Sequence, residues 1–325
     1  MTLTSVPGLQ VGHAQVSGGG SGCTVVLGPF RAVVEVTGMA TGTRELGTLA
    51  EEHIVPTADA IVLSGGSAYG LAAAHGAMAW LAERGRGYPT GADVVPIVPA
   101  AILYDLAPDR ARPDASTGYA ACEAASDAPV PEGRVGAGTG ATVGKIAGTS
   151  MPGGIGSSSI RIGGVTVGAI AAVNAVGDVL DADGSIVAGA RGPDGEFIDG
   201  SRFLRESPPE GEFADWRAGE GPQAGQNTTL CLVATDAPLS KRELRRMVRM
   251  AATALPRRIR PVNTPFDGDV VFAVSTADEE QPVSSGAVMS FGDAARVALE
   301  EALTRAVVSD EARNQRGRDL RESGV

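Results

Sequence analysis

Between Leu244 and Leu255 the apolar residues Leu244, Met247, Val248, Ala251, Ala252 and Leu255 fall three and four apart, the stripe of an amphipathic helix. Ser240 with Glu243 three residues later forms a capping-box pattern, and Leu239 with Leu244 supplies the hydrophobic staple, so the helix start is the best specified in the chain. Arg242, Arg245, Arg246 and Arg249 lie largely on the opposite side and read as a solvated basic face. Two further helices are expected: an Ala-rich one from Ser67 to Glu83 closed by Gly85, and a C-terminal one from about Asp293 to Val308.

Other apolar runs are short and rich in branched residues, which is the signature of strands. Thr24 to Leu27 and Ala32 to Val36 flank Gly28-Pro29-Phe30-Arg31, a pattern that predicts a hairpin. Ile61 to Leu63 predicts a buried strand, and Val94 to Leu106 a strand region interrupted by Pro96 and Pro99. Ser159 to Ala175 and Val179 to Val187 are β-rich, with Gly163-Gly164 and Asp183-Gly184 as turns, and Thr229 to Thr235 and Val270 to Thr276 complete the set. Strands and helices in this order suit a layered α/β domain, although the order alone permits several arrangements.

Composition narrows the function classes. A chain of 325 residues that is 43% hydrophobic can bury a large core, and it is expected to form one domain spanning 1–325. A net charge of −11 argues against binding nucleic acid as the main task. Met1 to Gln10 lacks the basic and apolar regions of a signal peptide and no apolar run reaches membrane-spanning length, so a soluble cytoplasmic protein is the expectation. Cys23, Cys122 and Cys231 have neither metal nor disulfide-framework spacing.

The candidate chemistry begins at Asn227-Thr228. Upstream, about Glu206 to Gln226 contains Pro208, Pro209, Pro222 and several Gly and Glu residues and reads as a surface linker; downstream, Leu230 to Ala234 is an apolar run of strand length. A hydroxyl residue at such a junction can open a strand, or it can attack the preceding carbonyl. Attack by Thr228 on Asn227 followed by hydrolysis would free an N-terminal Thr, whose α-amine, with an ordinary pKa of roughly 7.7 to 8.0, is a suitable base for its own hydroxyl.

Asp267 and Asp269 flank Gly268 ahead of the strand Val270 to Val274 and, if that strand extends back, project from one face roughly 7 Å apart at Cα. Carboxylates so close couple their protonation and can relay a proton; a solvated turn or weak cation loop is the alternative. Lys145, one of two lysines, ends the Gly-rich run Val135 to Lys145, but the run lacks the leading Gly and the trailing Ser or Thr of a phosphate-binding loop. It reads as a fixed positive charge beside developing negative charge, or as a surface lysine. Asn174, polar within an apolar strand, needs a partner and is able to face an oxyanion or bridge backbone. Gly65-Gly66 at a strand-to-helix junction could line a pocket with backbone N–H groups. His13, His53 and His75 have no ligand spacing, and Ser67 lacks the trailing Gly of a nucleophile elbow.

Taken together, the segments Val6-Pro7-Gly8-Leu9-Gln10-Val11-Gly12-His13, Leu63 to Gly70, Ala101-Ile102-Leu103-Tyr104-Asp105 and Asn263 to Asp269 resemble the DmpA-type aminopeptidases, N-terminal-nucleophile amide hydrolases that mature by self-cleavage. The resemblance covers nearly the whole chain. Thr after Asn at the cut, in place of the commoner Ser after Gly, is similar to the nylon-oligomer hydrolase branch. The resemblance implies a four-layer αββα sandwich, cleavage into residues 1–227 and 228–325, and a catalytic set of Thr228, Asp267, Asp269, Lys145 and Asn174. It also implies a substrate-side Tyr104 near Gly65, Gly66 and Tyr69, and a homo-oligomer of four or more copies. No metal or organic cofactor is needed. The substrates implied are short linear amides, either 6-aminohexanoate oligomers or peptides; an aminopeptidase confined to N-terminal residues, including β-amino acids, an acyltransferase of the ornithine acetyltransferase type and a noncatalytic binder are the alternatives.

Overall fold

The computed structural model describes residues 1–108, 110–206 and 227–308. The linker expected between Glu206 and Gln226 thus lies, from 207 onward, outside the described residues. The chain is mixed α/β around a nine-stranded sheet. Its strands are β1 (Gln10–Gln15), β2 (Gly22–Val36), β3 (Gly42–Arg44), β4 (Ala58–Ser64), β5 (Ala100–Ile102), β6 (Gly154–Ile162), β7 (Val165–Asn174), β8 (Thr228–Thr235) and β9 (Val270–Ser275). The order is β6-β7-β8-β9-β2-β4-β5-β3, with β1 added alongside β2. Neighbours are antiparallel except for β8 with β9 and β4 with β5. The helices that pack on it are α1 (Ala73–Ala82), α2 (Ala115–Glu123), α3 (Lys241–Ala252) and α4 (Ser285–Arg305).

The expected hairpin at Gly28-Pro29 is instead one continuous 15-residue strand, β2. Its first half pairs with β1 and β4 and its second half with β9, with an irregularity between Leu27 and Phe30. Turn-like residues here mark the point where a long strand changes partners, because a proline that cannot donate to a ladder is tolerated at such an interruption. The expected helix from Ser67 opens as a 3-10 segment, Ser67–Ala72, before α1. The C-terminal helix begins at Ser285, capped by Ser284, well before Asp293. Helix α2, which the apolar pattern did not reveal, has an Asp114 capping box and an Ala- and Gly-rich body. The α3 capping box between Ser240 and Glu243 is present as expected, although Leu255 belongs to a separate short helix, Ala254–Arg258.

Every residue of β8 is buried, which explains why its sequence shows a run and no alternation. Alternation returns in the packing. Leu230, Leu232 and Ala234 join Phe272, Ile170, Val26, Phe30, Ile61 and Leu63 in one cluster, whereas Cys231 and Val233 join Val271, Ala169 and the apolar faces of α3 and α4 in another. A third cluster packs Val25, Ala60 and Val62 against Ala73, Ala77 and Leu81 of α1 and Ala121 and Cys122 of α2.

Close helix approach depends on glycine. A Cβ on Gly76 of α1 would overlap the Ala115 carbonyl oxygen, and one on Gly118 of α2 would overlap the Ala73 carbonyl oxygen. Gly118→Ala is therefore expected to destabilise the fold by about 1–3 kcal/mol as overpacking does. Gly47→Ala, where a Cβ would meet nothing within 4 Å, should stay within about 0.5 kcal/mol of the parent. Urea unfolding midpoints check both, and equal midpoints would contradict the packing.

Candidate active site

Strand polarity assembles the site. β8 and β9 run parallel, so their N-terminal ends share one edge of the sheet; β7 is antiparallel to β8, so its C-terminal end reaches the same edge. Thr228 is the first residue of β8, Asp269 immediately precedes β9, and Asn174 is the last residue of β7, paired directly with Thr228. An isolated bridge between Asn227 and Asp267 carries the pairing one step further. Asn174, Asn227, Thr228, Asp267 and Asp269 are all about 1% exposed, so this edge is sealed from bulk water.

At Asn227-Thr228 the hydroxyl and the carbonyl lie together. Thr228 Oγ1 donates to the Asn227 carbonyl oxygen at 2.5 Å, and the Gly268 N–H donates to that same oxygen at 2.8 Å. A Cβ on Gly268 would stand 2.7 Å from Thr228 Oγ1 and 2.7 Å from the Ala40 carbonyl oxygen, so glycine is the residue that leaves room for the hydroxyl. Both polar atoms of the Asn227 side chain are buried with no partner among the described residues. Such a group destabilises the fold by about 1–3 kcal/mol, so stability does not account for its place here.

The two carboxylates have different settings. Asp269 Oδ1 accepts the Thr229 N–H at 2.5 Å, and the Thr229 hydroxyl and the Asn263 N–H also face its carboxyl. Burial, with the Asp267 charge second, pushes Asp269 up to about 7. Asp267 Oδ2 accepts the Thr264 N–H at 2.8 Å; burial raises its carboxyl, opposed by that bond and by the Lys145 charge. The turn is held from outside by a segment that sequence reasoning missed: the Thr37 and Gly38 N–H groups donate to the Asp269 carbonyl and the Ala40 N–H to the Asp267 carbonyl. Its only sequence signal is a polar and glycine break directly after β2.

Lys145 is no surface lysine. Its Nζ donates to Asn174 Oδ1 at 2.8 Å and to the Asn174 carbonyl at 3.1 Å. Burial brings it down to about 7, against the opposing pull of Asp267 and Asp105. Asn174 finds the partners its burial requires: Oδ1 also accepts the Thr142 N–H at 3.0 Å, and Nδ2 donates to the Tyr104 carbonyl at 2.9 Å. The structure thus brings Thr228, Asn174, Lys145, Asp267 and Asp269 to one place, with Tyr104 attached through its backbone. Gly65 and Gly66 sit one layer out: the Gly65 N–H donates to the Gly22 carbonyl and the Gly66 N–H to Asp105 Oδ1, so both donors are engaged within the fold. Tyr69 is 60% exposed, with the Arg112 guanidinium 3.9 Å above its ring.

Of the histidines, His13 is buried against Thr24 Oγ1 and burial lowers it to about 4. Cys23, Cys122 and Cys231 are buried and unpaired. Among the described residues no helix is long and apolar enough to cross a membrane.

Comparison with known proteins bears on this geometry. An uncharacterized aminopeptidase of Mycobacterium leprae is 38% identical over 95% of this chain and 91% of its own length. A 6-aminohexanoate-oligomer endohydrolase of a Kocuria species is 33% identical over 86% of this chain and 76% of its own. Among solved structures, the L-aminopeptidase D-Ala-esterase/amidase of Ochrobactrum anthropi, described as a variant of the Ntn hydrolase fold, superposes with a TM-score of 0.70 at 20% identity, covering 99% of this chain and 94% of that one. At that identity the likeness speaks for the fold alone. The model of peptidase family S58 matches residues 2–321, and this chain belongs to that family of hydrolases.

Proposed function

We propose that the protein is a self-processing amide hydrolase in which Thr228 first releases itself from Asn227 and then serves as N-terminal nucleophile. The observation that carries this is the joint hold on the Asn227 carbonyl oxygen by Thr228 Oγ1 at 2.5 Å and Gly268 N–H at 2.8 Å. In the maturation step Oγ1 adds to the Asn227 carbonyl carbon, and negative charge develops on an oxygen that already has an N–H donor. The C–N bond breaks, the hydroxyl proton ends on the Thr228 nitrogen, and water hydrolyses the resulting ester. Asp269, pushed up to about 7, has the basicity to move that proton near neutral pH.

In the mature enzyme the freed α-amine, with Asp269 and Asp267 behind it, takes the Oγ1 proton as Thr228 attacks the substrate amide. Asn174, paired with Thr228 across the ladder, and Lys145 supply the electrostatic side of the site. Water then releases the acyl group, and no cofactor takes part. The three apolar clusters support a four-layer αββα sandwich, with α3 and α4 on one outer face and α1 and α2 on the other. We assign residues 1–325 to one domain, Tyr104 and Tyr69 to the substrate side with Gly65 and Gly66 behind them, and the working form to a homo-oligomer of four or more copies.

Short linear amides are the proposed substrates. The Kocuria relative, named as an endohydrolase of 6-aminohexanoate oligomers, supports internal cleavage. The M. leprae relative, named as an aminopeptidase, supports a second reading in which only N-terminal residues are removed. Aminoacyl p-nitroanilides, β-peptides and 6-aminohexanoate oligomers incubated with cleaved enzyme distinguish the two by mass spectrometry. Internal products are expected; release of N-terminal residues alone would favour the aminopeptidase, and no turnover of any linear amide would sink both.

Intact-mass analysis should find two associated fragments, residues 1–227 and 228–325, and a single chain for Thr228→Ala. A wild type that stays whole on prolonged incubation, or is cut elsewhere, would remove the mechanism.

The same Thr228→Ala background isolates the charge buried at Asp269. The carboxyl titrates near 3.8 when unfolded and about 7 when folded, so between these values the native state holds a proton that the unfolded state has lost. The stability linked to that proton is fully present below about pH 3.8 and is lost as pH rises through about 7. Asp269→Asn keeps an acceptor for the Thr229 N–H and cannot ionise. Its melting temperature relative to the Thr228→Ala parent should be higher at pH 8 than at pH 5; a pH-independent difference would show that Asp269 carries no such shift.

A further inference from the structure

Asp105 lies immediately after the tyrosine whose carbonyl holds Asn174, and nothing in the mechanism above uses it. It is 5% exposed. Its Oδ1 accepts the Gly66 N–H at 2.7 Å, its backbone carbonyl accepts Arg110 Nη1 at 2.8 Å, and its carboxyl also faces the Ser21 hydroxyl. Glycine surrounds Oδ2. A Cβ on Gly65 would stand 2.6 Å from Oδ2, and a Cβ on Gly140 would overlap it. Gly140 in turn begins the segment that supplies the Thr142 N–H to Asn174 Oδ1 and then Lys145 Nζ to the same atom. Residues 140–145 therefore pass from the Asp105 carboxylate to the Asn174 amide.

We propose that Asp105 is a positioning residue of the active site: its carboxylate, held by the Gly66 N–H, keeps Lys145 in its charged form on Asn174, opposite Thr228. This rests on the assignment of Thr228, Asn174 and Lys145 to the reacting site. Among the described residues, the acidic groups that act on Lys145 are Asp267 and Asp105, and Asp105 in turn faces Arg110 and the Ser21 hydroxyl. Burial alone favours a neutral amine at Lys145, and a neutral amine offers an oxyanion far less than an ammonium does. Asp267 gives it one compensating negative charge. The Asp267 charge also acts on Asp269, so on the proposed mechanism its protonation responds to the proton that Asp269 moves. Asp105 is outside that exchange: burial raises its carboxyl, while the Gly66 N–H, the Ser21 hydroxyl and the Arg110 charge oppose that rise and favour the negative form that faces Lys145.

The chain contains only two lysines, Lys145 and Lys241, so the titration of each is readable by nuclear magnetic resonance on protein labelled with ¹³Cε-lysine, with Lys145→Arg assigning the signals. Asp105→Asn retains an acceptor for Gly66 and removes the charge; Asp105→Ser is smaller, also accepts, and guards against misfolding of the first variant. In the uncut Thr228→Ala chain the Lys145 midpoint is expected to fall by about one pH unit in either variant, with Lys241 unmoved. In the self-cleaving chain the alkaline limb of kcat should move down by a similar interval, with KM little changed. A Lys145 midpoint that stays in place in either folded variant would overturn the proposal, and so would an unchanged kcat profile. The lysine measurement needs neither cleavage nor turnover, so it separates failure of this proposal from failure of the nucleophile assignment, which the wild-type fragment masses test.

Discussion

Asn174, Thr228 and Asp269 meet because β7 and β9 flank β8 with opposite polarities. An antiparallel neighbour contributes the residue that ends it, and a parallel neighbour contributes the residue that precedes it, so residues far apart in sequence arrive at one edge without any loop having to reach. The register is narrow. Strand β8 is buried on both faces, and a slip by one residue would exchange the Leu230-Leu232-Ala234 set with the Cys231-Val233 set and disrupt two apolar clusters together. Core packing on both sides therefore fixes where Thr228 stands to within one rung of the ladder.

The same sealing sets the electrostatics. Asp269, Asp267 and Lys145 are each moved by burial toward their neutral forms, and Asp269 and Lys145 both arrive at about 7. On the proposed mechanism that shift suits Asp269 to moving a proton near neutrality, whereas the Asp267 and Asp105 charges pull Lys145 back toward its charged form. Groups of this kind are destabilising as charges, and the fold retains them at a strand edge where neighbouring backbone N–H groups offset part of the cost. Thr229 supplies one to Asp269 and Thr264 one to Asp267.

Much of this was legible in the sequence, and what was not has a physical reason. The α3 stripe and its Ser240-Glu243 box locate that helix because local hydrogen bonds and periodicity decide it. The Gly28-Pro29 turn signal failed because the chain uses that dipeptide to let one strand change partners, and partner choice is a long-range matter. Asn174 was recognisable as a buried polar residue in need of partners, whereas the identity of those partners, Tyr104, Thr142 and Lys145, depends on three segments meeting. The Thr37–Ala40 segment was invisible because it acts through backbone groups, which every residue carries. Asp105 stood in plain view beside Tyr104, yet nothing local separates a carboxylate that holds a turn from one in solvent.

Glycine marks where backbone must approach Thr228 and the two carboxylates. At Gly268 a Cβ would crowd Thr228 Oγ1, and at Gly38 it would overlap the Asp269 backbone nitrogen. Gly268 lies in the turn between the two carboxylates and Gly38 in the segment after β2 that holds this turn, and both exclude a side chain for the same reason: main chain from two segments has to pass within contact distance. The Gly268 N–H could not reach the Asn227 carbonyl at 2.8 Å if either segment were held further away. On the proposed mechanism one arrangement then serves two reactions, since the donor and hydroxyl that face the chain's own carbonyl before cleavage remain beside the freed Thr228 afterwards. The precursor is in that sense the enzyme's first substrate complex, and its geometry is set by the strand register and not by binding.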